Sequence, residues 1–410
     1  MVSLSEQSRG IRGVSKPSLD ALIAERGEGS IPAPLRYDAL ARFEELPVRQ
    51  TLRGGRTWKH DLTKLDLSNI EPPQKLAAAP APSAELARRG VIVCDFDTAR
   101  AEHPQEFAAA FGTAVDTRDD KFASLALAFQ SGGAFVWIPE GVQLDDPIVL
   151  DYHLSGSAFP YTLVALGRGA SATVLEHIAG DGAFLCGIGE FVVGEKATLR
   201  YTIDQRAGDT TRIIATRRAL LGRDSTIVLG TAELGAQHAV TRVRIAANEP
   251  GGLAEVTAFF FADRDQHVDL ETEVVHAAAA TRSDTVVRSA GTGHGQGRYI
   301  GNIKILKNAH GADAALRDNA LLLSEHSHVD SVPALEIAAN DVKAYHGATV
   351  GAISEDEIFY AQSRGLSRAE AERMIALGFF EPAIARFPGE ALREEFRAAL
   401  RGKLGEAPAP

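Results

Sequence analysis

The chain is poor in cysteine: Cys94 and Cys186 are its only two in 410 residues. Two thiols cannot staple a chain this long, so a disulfide framework is excluded. A reducing, cytoplasmic setting is expected, with both thiols as ordinary buried groups. No C-x-x-C pair occurs, which argues against a dedicated thiolate cage for a metal. Positive charge is also short: 43 Lys and Arg stand against 54 Asp and Glu, a net charge of −11. Without a basic field to recruit phosphates, nucleic acid and anionic membrane surfaces are poor partners. No run of about 18 apolar residues exists, so no membrane span is expected. The opening stretch "MVSLSEQSRGIRGVSKPSL" lacks the apolar core of a signal peptide and is expected to be a mobile leader. The motifs G-x-x-x-x-G-K-[ST], H-E-x-x-H and G-x-S-x-G are missing, which removes the common phosphate-loop, zinc-hydrolase and serine-hydrolase readings. "GTGHGQG" (291–297) superficially resembles a dinucleotide loop. It lies among short strands rather than opening a helix, so it reads as a turn.

Three regions differ in pattern. Residues 1–125 mix helices and loops. "SLDALIAERG" places Leu19, Leu22 and Ile23 at helical spacing before Gly27, and "APLRYDALARFEELP" places Leu35, Leu40 and Phe43 likewise before Pro47. "EPPQKLAAAPAPSAE" (71–85) is a connector, "VIVCDF" (91–96) a strand and "PQEFAAAFG" (104–112) a short helix. Residues 126–348 lose helical periodicity. Short β-branched runs such as "AFVWIPEGV", "TLRYTI" and "STIVLG" alternate with Gly, Asp and Asn turns. A pattern G-x-x-[ASD]-[TEA]-[VLI] recurs from positions 141, 169, 194, 222, 251, 281 and 311, with Thr281 replacing glycine once. That much chain holds two short strands and two turns, one rung of a flattened β-helix. Each glycine would supply a corner of positive φ. A β-sandwich with chance spacing is the alternative. A left-handed hexapeptide β-helix would repeat at about 18 residues instead. Residues 349–410 return to helices. "SEDE" (354–357) and "SRAE" (367–370) read as capping boxes, and "EALREEFRAALRGKL" as a third helix. They are expected to form a small domain on the end of the solenoid.

Candidate ligands are few. His326 and His328 are two apart beside Glu325 and Asp330; on a strand they would share one partly solvated face. His267 and His276 read as structural or surface residues. His346 follows the last strand, where a solenoid leaves an unpaired edge.

Several segments carry a family resemblance. They are "FVWIPEGVQLDDPI" (135–148), "HVDLETEVVH" (267–276), "LLLSEHSHVDSVPALEI" (321–337) and "DVKAYHGATVGAISEDEIFYAQSRGL" (341–366). All resemble the SufB/SufD scaffold proteins of iron–sulfur cluster assembly, as does the Trp-containing "GGRTWKHDLTKLDL" (54–67). The resemblance implies a mainly β fold, a right-handed parallel β-helix between helical regions, and a non-catalytic scaffold. It implies pairing with a SufB-like paralogue and binding of SufC, an ABC-type ATPase, with a homodimer possible when isolated. "YHGA" is as in SufD, whereas SufB carries "EHEA"-like residues. Many SufD proteins have cysteine where this chain has Ala344. His346 is therefore the one carried-over candidate ligand at a SufB interface, or else a polar residue ending the sheet. No cofactor is expected to be held stably by the isolated chain, and a nascent cluster only in the complex. The C-terminal helices carry more apolar residues than three helices bury alone, which assigns Ile358, Phe359, Met374, Ile375, Phe379 and Phe380 to the ATPase interface. The alternatives are the SufB role and a β-helix carbohydrate-active enzyme, which would need carboxylates and bases clustered on one face.

Overall fold

The computed structural model describes residues 14–26, 31–46, 73–76, 82–118 and 120–405. Residues 1–13 of the leader and the "GGRTWKHDLTKLDL" segment lie outside them; the last residues of the leader are not mobile but open helix Lys16–Arg26, with Leu19 buried in the core. Residues 133–352 form two facing parallel sheets, each turn of chain giving one strand to each. The first sheet runs from Gly133–Ile138 through Tyr161–Leu166, Phe184–Val193, Arg212–Leu221, His238–Ala247, His267–His276 and Gln296–Ile305 to His328–Ile337. The second runs from Ile148–Leu154 through Ser171–Gly180, Thr198–Ala207, Thr226–Glu233, Leu253–Ala262, Arg282–Gly291 and Ala312–Leu322 to Val342–Ala352. This is a parallel β-solenoid of about eight turns. Ser171 pairs with Thr198, Thr198 with Thr226, and Thr226 with Leu253, so the register follows the repeat read in the sequence.

Alternation decides what fills the space between the sheets. Val174, Leu199, Ile227, Val256 and Leu316 point inward from the second sheet, and Ile213, Val243, Leu270 and Ile303 from the first. The largest outward apolar residues gather where helices cover them. Helices Lys16–Arg26, Ala33–Glu45, Phe96–Glu102, Pro104–Ala110 and Lys121–Ala128 pack on the first sheet's outer face, over Tyr161, Leu163, Cys186, Ile214 and Val240. Helices Arg368–Ile384 and Glu390–Lys403 pack on the second sheet's outer face, where Phe259 and Phe261 meet Phe380, Phe387 and Phe396. The C-terminal helices thus lie on the flank and not on the end of the solenoid. Consecutive Phe259, Phe260 and Phe261 explain why: Phe260 fills the lumen, and its two neighbours demand cover outside.

The boundary expected at 125/126 falls inside helix Lys121–Ala128, and that at 348/349 inside strand Val342–Ala352. The second capping box is present at Ser367 and Glu370, but Ser354 accepts from the Asp356 amide without a reciprocal Glu357 bond. "GTGHGQG" is a turn between two strands, with Gly293 at φ 61°.

The corners also differ from expectation. The left-handed residues of one corner are Gly141, Gly169, Lys196, Asp224, Gly251, Ala280 and Gly311, with φ from 53° to 78°. Gly194 and Gly222 are not among them. They answer a different constraint. A Cβ at Gly194 would stand 2.6 Å from the carbonyl oxygen of Leu166 in the turn below. Stacked backbone cannot retreat from such a contact without loosening the ladder. Gly194→Val is therefore expected to destabilise by about 1–3 kcal/mol, because of overpacking rather than φ. The urea midpoint of the full chain measures it.

Candidate functional site

The two ends of the solenoid are finished differently. At the first end, Ile92–Cys94 pairs antiparallel with Gly133–Ile138 and closes the first sheet. At the last end, His328–Ile337 and Val342–Ala352 are both terminal strands. Among the described residues no strand pairs with their outer edges. A row of backbone N–H and C=O groups is thereby left to solvent or to another chain.

The mouth between these strands is built from small and apolar side chains. Val342 and Ala344 pack inward, and His346 continues their row with Ala348 and Val350. His346 lies in register with the inward Leu316 of the preceding turn. It is nonetheless exposed, because no further turn lies above it. Val329 and Leu335 line the facing strand, and Ile337 is exposed at its end. Tyr345 points outward beneath the guanidinium of Arg317, 5.9 Å from its ring centre, and is exposed like Val350.

One carboxylate interrupts the inward row below the mouth. Asp318 is fully buried and accepts a hydrogen bond from the Ser331 hydroxyl across the lumen. Among the described residues its Oδ1 has no hydrogen-bond partner. The sequence carried a signal for it, because Asp318 breaks the apolar alternation Ala314, Leu316, Ala320.

The other sequence candidates separate. His326 lies in a turn and stacks on His294 at 5.2 Å, whereas His328 opens the next strand with Nε2 2.7 Å from Asp330 Oδ1. They do not share a strand face. His267 bonds Asp269 at 3.0 Å. His276 is buried between the hydroxyls of Thr281 and Ser283, and burial lowers its pKa to about 4. Cys94 sits in the closing strand at the far end, its thiol pushed up to about 12 by burial and then by Asp95 and Glu102. Cys186 is buried and donates to the Phe122 carbonyl. Among the described residues no three His, Cys, Asp or Glu side chains converge to hold a metal ion.

The helical candidates divide by burial. Ile358 and Phe380 are core residues and present no surface. Ile375 and Phe379 are half-buried, Ile375 packed among the helices and Phe379 at the seam between helix and second sheet. Phe359 is 72% exposed and Met374 52%, and beside them Tyr360, which periodicity did not single out, is 62% exposed.

The fold and site define a helix-flanked parallel β-solenoid with free strand edges at its last end. The chain belongs to the SufBD family. Residues 151–379 match the family described as "SUF system FeS cluster assembly, SufBD core domain", and residues 73–150 match "SufBD protein N-terminal region". It is similar to iron-sulfur cluster assembly SufBD family proteins of Staphylococcus saprophyticus, Staphylococcus epidermidis and Staphylococcus aureus. Each is 28% identical over 313 residues, which is 75% of this chain and 67% of the relative.

Burial raises the Asp318 carboxyl to about 6, against smaller opposing effects of the Ser331 hydroxyl and the Arg288 charge. The folded chain thus holds this proton more tightly than the unfolded chain does. Stability falls as pH rises through the ordinary carboxylate range to about 6, and the loss persists above it. Asp318→Asn is expected to stabilise by up to about 3 kcal/mol near pH 7.5 and to change little near pH 4. Urea unfolding of both proteins at the two pH values checks the sign.

Proposed function

We propose that the chain is a non-catalytic, SufD-like scaffold subunit that pairs through its open end with a SufB-like paralogue. The carrying observation is the pair of adjacent terminal strands, His328–Ile337 and Val342–Ala352, with a small apolar mouth between them. A homologous edge from a second chain satisfies both rows of backbone groups at once. When the chain is isolated, a second copy of itself takes the same place. The nascent iron–sulfur cluster is cargo at this junction. This chain offers it the His346 imidazole, and Ala344 offers no thiol, so the paralogue supplies thiolates. Neither cysteine of this chain serves: Cys94 is at the opposite end and Cys186 lies under the N-terminal helices.

The helical flank receives the ATPase. Phe359, Tyr360 and Met374 are the exposed large apolar residues of helices Glu355–Ser363 and Arg368–Ile384. The Arg368–Glu355 pair, with Nε of Arg368 also 2.9 Å from Glu372, ties those helices together. No described helix is long and apolar enough to cross a membrane. The assembly works in the cytoplasm.

Deleting 353–410 is a poor test, because it would strip the cover from Phe259 and Phe261. Point changes on exposed residues separate the two surfaces. Co-expression with SufB-like and SufC-like chains, followed by co-purification, is the measurement. Val350→Lys should lower paralogue association at least tenfold and spare ATPase association. Phe359→Asp with Met374→Asp should do the reverse, each protein keeping its fold within about 0.5 kcal/mol. Retention of both partners by both variants defeats the reading. His346→Ala should assemble normally and carry less iron and sulfide than wild type. Equal loading would leave the imidazole a mere filler of the mouth.

A further inference from the structure

The buried Asp318 has no structural reason to be ionisable. Among the described residues it is the only carboxylate on the inward rows of the last two turns of the second sheet. Its inward neighbours on the same strand are Leu316 and Ala320. Among the described residues no basic side chain forms an ion pair with it: the Arg288 charge acts on it only from the outward row, where Arg288 bonds Asn319. The Ser331 hydroxyl supplies one hydrogen bond to Oδ2 and leaves Oδ1 orphaned. Burying a carboxylate this way is expensive, and leucine or alanine would fill the row without that penalty.

Its position relative to His346 accounts for it. Asp318 pairs in register with Ala348, and Leu316 with His346. Asp318 and His346 are therefore diagonal neighbours on one inward face of a parallel pair, with Cα atoms about 8 Å apart by strand geometry. Directly over Asp318 stands Ala348, so a methyl group is all that this strand places between the carboxylate and the mouth. Ala344 and Ala348 flank His346 on its row and leave the imidazole sterically free. The facing strand contributes Ser331 and Pro333, neither bulky.

We propose that Asp318 and His346 together make this chain's half of a divalent-cation site at the open end. It would take iron(II) through one carboxylate oxygen and one imidazole nitrogen, leaving the other positions to the paired subunit or to water. This deepens, and rests on, the reading of the open end as the pairing face. The donor chemistry suits the assignment. Imidazole and carboxylate are a borderline-to-hard pair that holds iron(II), cobalt(II) or manganese(II) without thiolate. A cation would supply Oδ1 with the partner that no side chain gives. The carboxylate would bring the negative charge that Ala344, in place of a thiol, does not.

The test uses the purified full chain under anaerobic conditions, with cobalt(II) as an absorbing probe and iron(II) as competitor. Wild type should take up one cobalt per chain, displaced by iron(II). Asp318→Asn and His346→Ala should each weaken uptake at least tenfold. Asp318→Asn is isosteric and is expected to gain stability near neutral pH, so its loss of cobalt is not loss of fold. A wild type that takes up no cobalt, or an Asp318→Asn variant that binds it as tightly as wild type, overturns the proposal. Paralogue co-purification is scored separately on the same proteins. Loss of cobalt in both variants, with no paralogue pairing by wild type, keeps the cation site and discards the pairing face.

Discussion

Each turn of a parallel stack can satisfy its backbone N–H and C=O groups only with the turns beside it. Interior turns meet this without help, since register pairing is continuous from Ser171 to Val342 along the second sheet. The ends cannot. At the first end, Ile92–Cys94 reverses direction to close one edge, and Leu76 adds a bridge to Gly132. At the last end nothing in the described chain performs that service. The helices that could have done so are held on the flank by Phe259 and Phe261. The open end is thus a consequence of where the outward aromatics stand.

The interior shows what buried charge looks like when it is structural. Arg217 and Glu176 face each other in the lumen with Nη2 and Oε1 2.5 Å apart, and the Tyr201 hydroxyl donates to the same carboxylate. Glu233 is served by Thr231, Thr241 and Gln205. Glu190 accepts from the amides of Gly112, Ala114 and Val115 and from Tyr161, which seats the N-terminal helices on the first sheet. Each of these carboxylates has partners for both oxygens. Such satisfied networks fix register, because any slip breaks several bonds together. Asp318 stands apart from them on this measure. One of its oxygens is orphaned, and it lies under the mouth instead of midway along the stack.

Much of this was legible in the sequence, in proportion to how directly a residue type reports its backbone. The solenoid was legible because β-branched runs and turns recur at one turn's length. The corners were legible where glycine fills the left-handed position, as at Gly141 and Gly311, and illegible where Lys196 or Asp224 adopts it. Nothing in a lysine announces positive φ. At Gly194 the repeat marks a glycine that close approach requires and φ does not, and the residue type alone does not tell the two apart. The flank position of the C-terminal helices was written in "AFFFAD", where three consecutive aromatics must face both ways, but a short apolar run reads equally well as any buried strand. Among the six apolar residues assigned to a partner surface, composition could not distinguish Phe359, which is exposed, from Phe380, which is core. That distinction depends on which helix face the sheet occupies. His346 was legible through resemblance alone, since a lone histidine after a strand carries no chemistry by itself.

The open end and the helical flank are distinct surfaces joined by side chains. Two side-chain ladders run between them across the outer face of the second sheet. In one, Phe379 lies 5.5 Å from the Arg288 guanidinium, Arg288 bonds Asn319, and Asn319 bonds Thr349 on the terminal strand. In the other, Arg386 and Arg317 grip opposite oxygens of Asp284 at 2.8 and 2.6 Å, and Arg317 covers Tyr345. Arg288, Asn319 and Thr349 occupy successive register positions, so the first ladder climbs turn by turn. Both ladders arrive on Val342–Ala352, one on each side of His346. A terminal strand with one free edge is held by half the backbone bonds of an interior strand. Side chains therefore contribute a larger share of what keeps it in place, and these originate at the helical flank. The strand that carries the imidazole is thus braced from the flank by contacts that do not depend on its free edge.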